Sequence, residues 1–203
     1  MAEIQVIKNT PGAEYVSNNG PIKPDLPRAL VELFKRPHIG IFEPKSLMKL
    51  LRNVYKKLKA CGNGNRIMVP DGGRITVVGD IHGQIDDLLL ILEEAGEPSP
   101  TNLILFNGDF VDRGAHGFEV VTTMFSYFAA YPGCVFMNRG NHEDPFVCCN
   151  YGFQEEVIAK YDQMPFLLYA EIFRFLPIYS LINESIFVVH GGLFHDTEVT
   201  LAD

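Results

Sequence analysis

The sequence has no long apolar run, few cysteines and no excess of positive charge. No stretch approaches the roughly eighteen consecutive apolar residues of a spanning helix, so no membrane span is expected. The first ten residues mix Glu3, Gln5 and Lys8 among apolar ones and lack a signal-peptide core. The four cysteines, Cys61, Cys134, Cys148 and Cys149, form no CxxC pair. They read as reduced thiols in a protein of the cytoplasm or nucleus. A cysteine-phosphatase loop needs one residue more than the four separating Cys134 from Arg139, so that chemistry is excluded. A formal net charge of −8 argues against a nucleic-acid partner. No GxxxxGK[ST] occurs, which excludes a P-loop nucleotide hydrolase.

What is present is a series of polar clusters, each behind a short apolar run. Residues 74–78 lead to Gly79-Asp80-Ile81-His82-Gly83, and residues 102–106 lead to Gly108-Asp109-Phe110-Val111-Asp112-Arg113-Gly114. Residues 134–137 lead to Arg139-Gly140-Asn141-His142-Glu143, and residues 185–189 to His190-Gly191-Gly192. Runs of this length and β-branched or aromatic content predict buried strands. Helical stretches separate them, the pattern of a crossover-connected α/β sheet. Ligands of such sheets gather beyond the carboxyl ends of the strands, so the clusters should converge on one rim.

At 203 residues, 47% hydrophobic and 21% charged, the chain is sized for one domain. Residues 1–27, with six Pro or Gly and little periodicity, read as an extended lead-in to a domain spanning 28–203. A short helix over 28–35 should stop at Pro37. Residues 46–60 have apolar positions on one helix face and Lys49, Arg52, Lys56, Lys57 and Lys59 on the other. That basic face is read as solvated rather than as a membrane or calmodulin-type element. Residues 61–73 read as a loop. Further helices are expected over 84–95, buried on more than one side, and near 118–130, 151–161 and 166–175.

A lone Asp or His after a strand is usually a cap or turn residue. Four such clusters in order, each behind a strand, point instead to a metal site. Carboxylate, imidazole and amide oxygen together suit divalent Mn, Fe or Zn. Asp80 and His82 would hold one ion, Asp109 would bridge, and Asn141 with His190 would hold the second. Two such ions clamp an in-line displacement and acidify a shared water, giving a metal-bridged hydroxide as nucleophile. Arg113 offers a fork of donors for phosphate oxygens. His142 is placed to protonate the leaving group, with Asp112 accepting its other N–H. His38, His116 and His195 read as ordinary surface or loop histidines, and Asp86-Asp87 and Glu93-Glu94 as solvated helix faces. The Asp109–Gly114 segment is no calcium loop, because its acids stand three apart and its twelfth position is Val120.

These motifs resemble those of the PPP-type serine/threonine phosphatases. Gly79–Gly83 is similar to GDxHG, Gly108–Gly114 to GDxVDRG and Gly140–Glu143 to GNHE. Tyr151-Gly152-Phe153 and His190-Gly191-Gly192-Leu193-Phe194 extend the likeness, which runs from about residue 45 to the end. The wording around Phe106–Phe110 and Gly192–Phe194 resembles the subgroup with tetratricopeptide or EF-hand appendages. The resemblance implies a metallophosphoesterase β-sandwich flanked by helices, two metals and phosphoserine or phosphothreonine in proteins as substrate. It implies Asp80, His82, Asp109, Asn141 and His190 as ligands, phosphate at Arg113 with Asn141, and a regulatory protein as partner. It also implies a further histidine ligand, a second phosphate-binding arginine and more of the second sheet beyond the HGG motif. On that resemblance residues 28–203 read as the N-terminal part of such a domain. A dimetal phosphodiesterase or dinucleotide-polyphosphate hydrolase, and a non-catalytic protein that binds phosphatase partners, are the alternatives.

Overall fold

The computed structural model describes residues 20–35, 42–193, 195–196 and 198–201. The first nineteen residues of the expected lead-in, Pro37 and His38 lie outside them. Two three-stranded sheets face each other, and a layer of helices covers the far side of one. The first sheet joins β2 (Arg74–Val78), β3 (Asn102–Phe106) and β4 (Val135–Met137), all parallel. The second joins β1 (Gly64–Ile67) in parallel to β5 (Tyr179–Ile182), which pairs antiparallel with β6 (Ile186–Val189).

Strand alternation explains the layering. On β3, Leu103 and Leu105 point between the sheets, where they meet Ile67 and Ile182 of the other sheet. Ile104 and Phe106 point the other way into the helix layer, so β3 is apolar from Leu103 to Phe106 because both its faces are covered there. The helices are α1 (Asp25–Phe34), α2 (Pro44–Lys59), α3 (Ile85–Ala95), α4 (Gly117–Ala130), α5 (Pro145–Tyr151), α6 (Phe153–Lys160) and α7 (Gln163–Phe173). Glu43 caps α2 by accepting the Ser46 N–H at 2.7 Å, and Asp144 and Asp162 cap α5 and α7 in the same way.

Several expectations change. The four predicted strands do not share one sheet: β6 belongs to the second, which makes the molecule a sandwich. The stretch 61–73, read as a loop, contains β1. Gly-Asn-Arg-Ile has little strand propensity, and its pairing comes from β5, more than a hundred residues away. Gly64 is required there, because a Cβ would lie 2.2 Å from the Tyr179 ring. Helix α1 begins at Asp25, inside the expected lead-in, and α5 was not anticipated. Leu88 and Leu92 of α3 are buried but Leu90 is 56% exposed, so this helix buries one side only.

The buried Asn138 and the half-buried Asn107 hold the sheets in register near the site. Asn138 donates to the Asn107 Oδ1 at 2.8 Å and to the Val188 carbonyl at 3.2 Å, and accepts from the Ser180 hydroxyl at 2.7 Å. These bonds bring the end of β6 beside the ends of β3 and β4 despite its place in the other sheet.

Candidate metal centre

The loops after β2 and β3 are laced backbone to backbone. Ile81 and His82 N–H groups both donate to the Asp109 carbonyl at 3.0 Å, and Gly83 N–H donates to Phe110 at 2.9 Å. The loop after β4 closes on them through Glu143, which is fully buried. Its carboxylate accepts the Asp109, Phe110 and Gly140 N–H groups at 2.7, 2.8 and 2.9 Å. In return the His142 N–H donates to Asp109 Oδ1 at 2.9 Å. Gly140 permits this approach, since a Cβ there would meet Asp109 Oδ1 at 2.2 Å. His82, Asp109, Asp112 and Arg113 all take positive φ, from 46 to 69°, a region costly for side chains bearing a Cβ.

Sequence reasoning quotes Glu143 within a motif but gives it no task. The available signal was physical: a glutamate behind a buried strand must find partners, because an unpaired buried carboxylate is rare. Burial pushes its carboxyl up to about 7, while the three N–H groups hold the charged form.

The predicted site residues gather around Asp109. His82 Nε2 lies 3.5 Å from Asp109 Oδ2 and 3.9 Å from Asp80 Oδ2. His190 Nε2 lies 3.4 Å from Asp109 Oδ1, and its Nδ1 lies 3.8 Å from Asp80 Oδ1. Potential ligand atoms fall into two groups sharing Asp109: His82, Asp109 and His142, and Asp80, Asp109 and His190. Asp80 falls in the group with His190, and its other oxygen lies as near His82, the partner that the sequence reading gave it.

The donor atoms fit cations. His82 Nδ1 contacts the Val111 carbonyl at 2.9 Å and His190 Nδ1 the Asn107 carbonyl at 2.8 Å. A carbonyl only accepts, so each Nδ1 carries the proton and each Nε2 a lone pair. The buried His82 Nε2 has no hydrogen-bond partner, and the His190 Nε2 lone pair meets Asn141 Oδ1 at 3.0 Å. Lone pairs facing one another or nothing are what divalent ions would reconcile.

His142, 2% exposed, stands beside this centre with both nitrogens engaged. Nδ1 donates to Asp112 Oδ2 at 2.8 Å, and Nε2 accepts from Arg113 Nη2 at 3.2 Å. Asp112 Oδ1 accepts the Phe153 N–H at 2.9 Å, and the Tyr151 carbonyl accepts the Arg113 N–H at 3.2 Å. The turn between α5 and α6 therefore anchors the loop that presents Asp112 and Arg113. Asp86, Asp87, Glu93, Glu94 and His195 are exposed, as read from sequence, whereas His116 is half-buried with its Nδ1 3.7 Å from the buried Glu119 carboxylate.

Comparison with known proteins agrees with the geometry. The profile of the calcineurin-like phosphoesterase domain matches residues 73–203. Serine/threonine-protein phosphatase T of Trypanosoma brucei brucei is 50% identical over 154 residues, covering 76% of this chain and 33% of that protein. The human serine/threonine-protein phosphatase with EF-hands 2 is 38% identical over 186 residues, covering 90% and 24%. A solved serine/threonine phosphatase from Saccharomyces cerevisiae superposes with a TM-score of 0.82 at 32% identity, over 88% of this chain and 57% of that one. The chain spans about a quarter to a third of the length of these curated relatives. With profile, relatives and superposition in accord, the chain belongs to the calcineurin-like phosphoesterase family, among relatives that are serine/threonine-protein phosphatases.

Proposed function

We propose that the chain carries the dimetal half of a protein serine/threonine phosphatase site, hydrolysing phosphoserine and phosphothreonine monoesters. The observation that carries this reading is the pair of donor groups sharing Asp109 beside the outward-facing guanidinium of Arg113. Asp80, His82, Asp109, Asn141 and His190 are the residues that would hold two divalent ions of the Mn, Fe or Zn type. Such ions supply Lewis-acid polarisation of a phosphoryl oxygen and acidify water for attack near neutral pH. Arg113 and the Asn141 amide orient the phosphoryl oxygens for in-line displacement. The P–O bond to the seryl or threonyl oxygen breaks, and His142, having taken a proton from solvent on Nε2 when the Arg113 guanidinium turns to the phosphate, would deliver that proton to the leaving oxygen. Asp112 holds the opposite N–H and steadies the charged imidazolium. His142 also falls within ligand distance of His82 and Asp109, but its engaged nitrogens favour the proton-transfer role.

The four cysteines are free thiols, which supports a cytoplasmic or nuclear protein, and a regulatory protein is the expected partner. No helix among the described residues is long and apolar enough to cross a membrane. The test is a Mn-supplemented assay comparing a phosphoserine peptide with diadenosine tetraphosphate. Preference for the peptide, abolished by Asp109→Asn together with metal binding, is expected. Preference for the dinucleotide, or metal content unchanged in Asp109→Asn, would sink the reading.

A further inference from the structure

Helix α2 carries six basic residues and no acidic one. Lys45, Lys49, Arg52, Lys56 and Lys59 recur at alternating steps of four and three, which aligns them in one stripe. The other side of the helix, Leu47, Leu50, Leu51, Val54 and Leu58, is sealed in the core, so the stripe faces outward. Lys57 stands off the stripe, donating to the Ala129 carbonyl at 2.8 Å. Lys59, at one end, lies over the Tyr55 and Phe175 rings.

Ion pairing separates these cations from most of the others, although Arg74 and Arg113 also bond only uncharged partners. Arg28, Lys35, Arg66, Arg139, Lys160 and Arg174 each pair with a carboxylate. Among the described residues, no α2 cation forms such a pair. The nearest acid in sequence, Glu43, turns its carboxylate to the Ser46 N–H and hydroxyl as the helix cap, with Lys45 acting on it only at a distance. In a chain of net charge −8, unneutralised positive charge is thus collected on one rigid helix.

We propose that this stripe docks an acidic segment of a partner protein. A lipid surface is the poorer fit, because interfacial helices insert an apolar face and that of α2 is buried in its own domain. A nucleic acid is also poorer, since its long polyanion would extend past the stripe over an acidic molecule. The stripe is roughly 21 Å long at 1.5 Å per residue. A short acidic segment confined to that length responds to the nearby charges, because charges farther off than the Debye length of about 8 Å at physiological salt are screened. The stripe is separate from the metal centre, and its test reads binding without turnover, so it stands apart from the phosphatase reading.

The experiment is fluorescence anisotropy of a labelled hexaglutamate peptide titrated with the whole chain at physiological salt. Saturable binding is expected, weakened about tenfold or more by K49Q/R52Q/K56Q and further at high salt. A control, K35Q/R66Q/R174Q, removes the same charge elsewhere and should bind as the parent does. All positions are on the surface, and the single reversal Lys56→Glu gives an independent reading if the triple variant melts early. Absence of saturable binding, or equal loss in both triple variants, would overturn the proposal. So would tighter stripe-dependent binding of phosphatidylserine vesicles or of an oligothymidine.

Discussion

Glu143 joins two loops that carry the proposed metal ligands, and the chemistry of its side chain decides whether they stay joined. A glutamine in its place presents one acceptor and one NH₂, and that NH₂ must confront backbone donors. Leaving a buried donor unsatisfied costs about 1–3 kcal/mol. Glu143→Gln should therefore loosen Asp109 and weaken Mn binding by about tenfold or more, read by calorimetric titration; unchanged affinity would mean the clamp is idle. His142→Asn tests chemistry rather than assembly. It should leave metal binding intact and lower kcat by roughly 10²–10⁴ on a phosphoserine peptide, with a smaller loss on nitrophenyl phosphate. Equal losses on both substrates would rule out proton delivery. The roles proposed for Asp109, Arg113 and His142 could be read from sequence because each residue type has few uses behind a strand. The work of Glu143 could not, since it consists of bonds to backbone groups that spacing does not reveal.

At the scale of elements, legibility followed locality. Strands β3 and β4 announce themselves because two-sided burial makes them apolar runs, β2 by its β-branched residues although it is largely open on one side, and α2 because one-sided burial makes it periodic. Strand β1 owes its existence to β5 across a long sequence gap, so nothing in Gly-Asn-Arg-Ile declares it. Gly64→Val should consequently disturb the β1–β5 pairing by driving a side chain into the Tyr179 ring, lowering the melting temperature by several degrees; an unchanged melt would mean that the ring simply swings aside. The start of α4 is held by Glu156, which accepts the Phe118 N–H at 2.9 Å and the Lys160 ammonium at 2.6 Å. Burial raises its carboxyl from an ordinary 4.5 to about 7, with Lys160 opposing and Glu119 adding. A raised folded value favours the protonated acid, so this contribution is complete below the ordinary carboxylate range and is lost as pH rises through about 7. Thermal melts should fall across that window, and Glu156→Gln should make the slope shallower without abolishing it, since Glu143 is raised over the same range; an unaltered slope would show that Glu156 is not responsible.

The molecule as a whole presents an apolar groove of about 670 Å³ beside the metal centre, lined by Ile178, Tyr179, Phe187, Val189 and Leu193 among others. Leu193 is 82% exposed, and Ile186 on the neighbouring edge strand is 57% exposed. Exposed apolar patches next to an open strand edge favour association. Sedimentation should show concentration-dependent self-association that I186K/L193K reduces; a strictly monomeric parent chain would contradict this.

The left-handed backbone at His82, Asp109, Asp112 and Arg113 sets what selection for stability would do to this protein. Glycine is the residue most at ease in that conformation, and the roles proposed for the four side chains rule it out at each place. Arg113 is the clearest case, because its side chain is exposed and touches little besides His142. Arg113→Gly would relieve about 1–2 kcal/mol of steric cost, partly offset by the greater freedom of glycine in the unfolded chain. A library screened only for heat resistance would drift toward glycine here and emerge tougher and inert, so durability and activity pull the same codon in opposite directions.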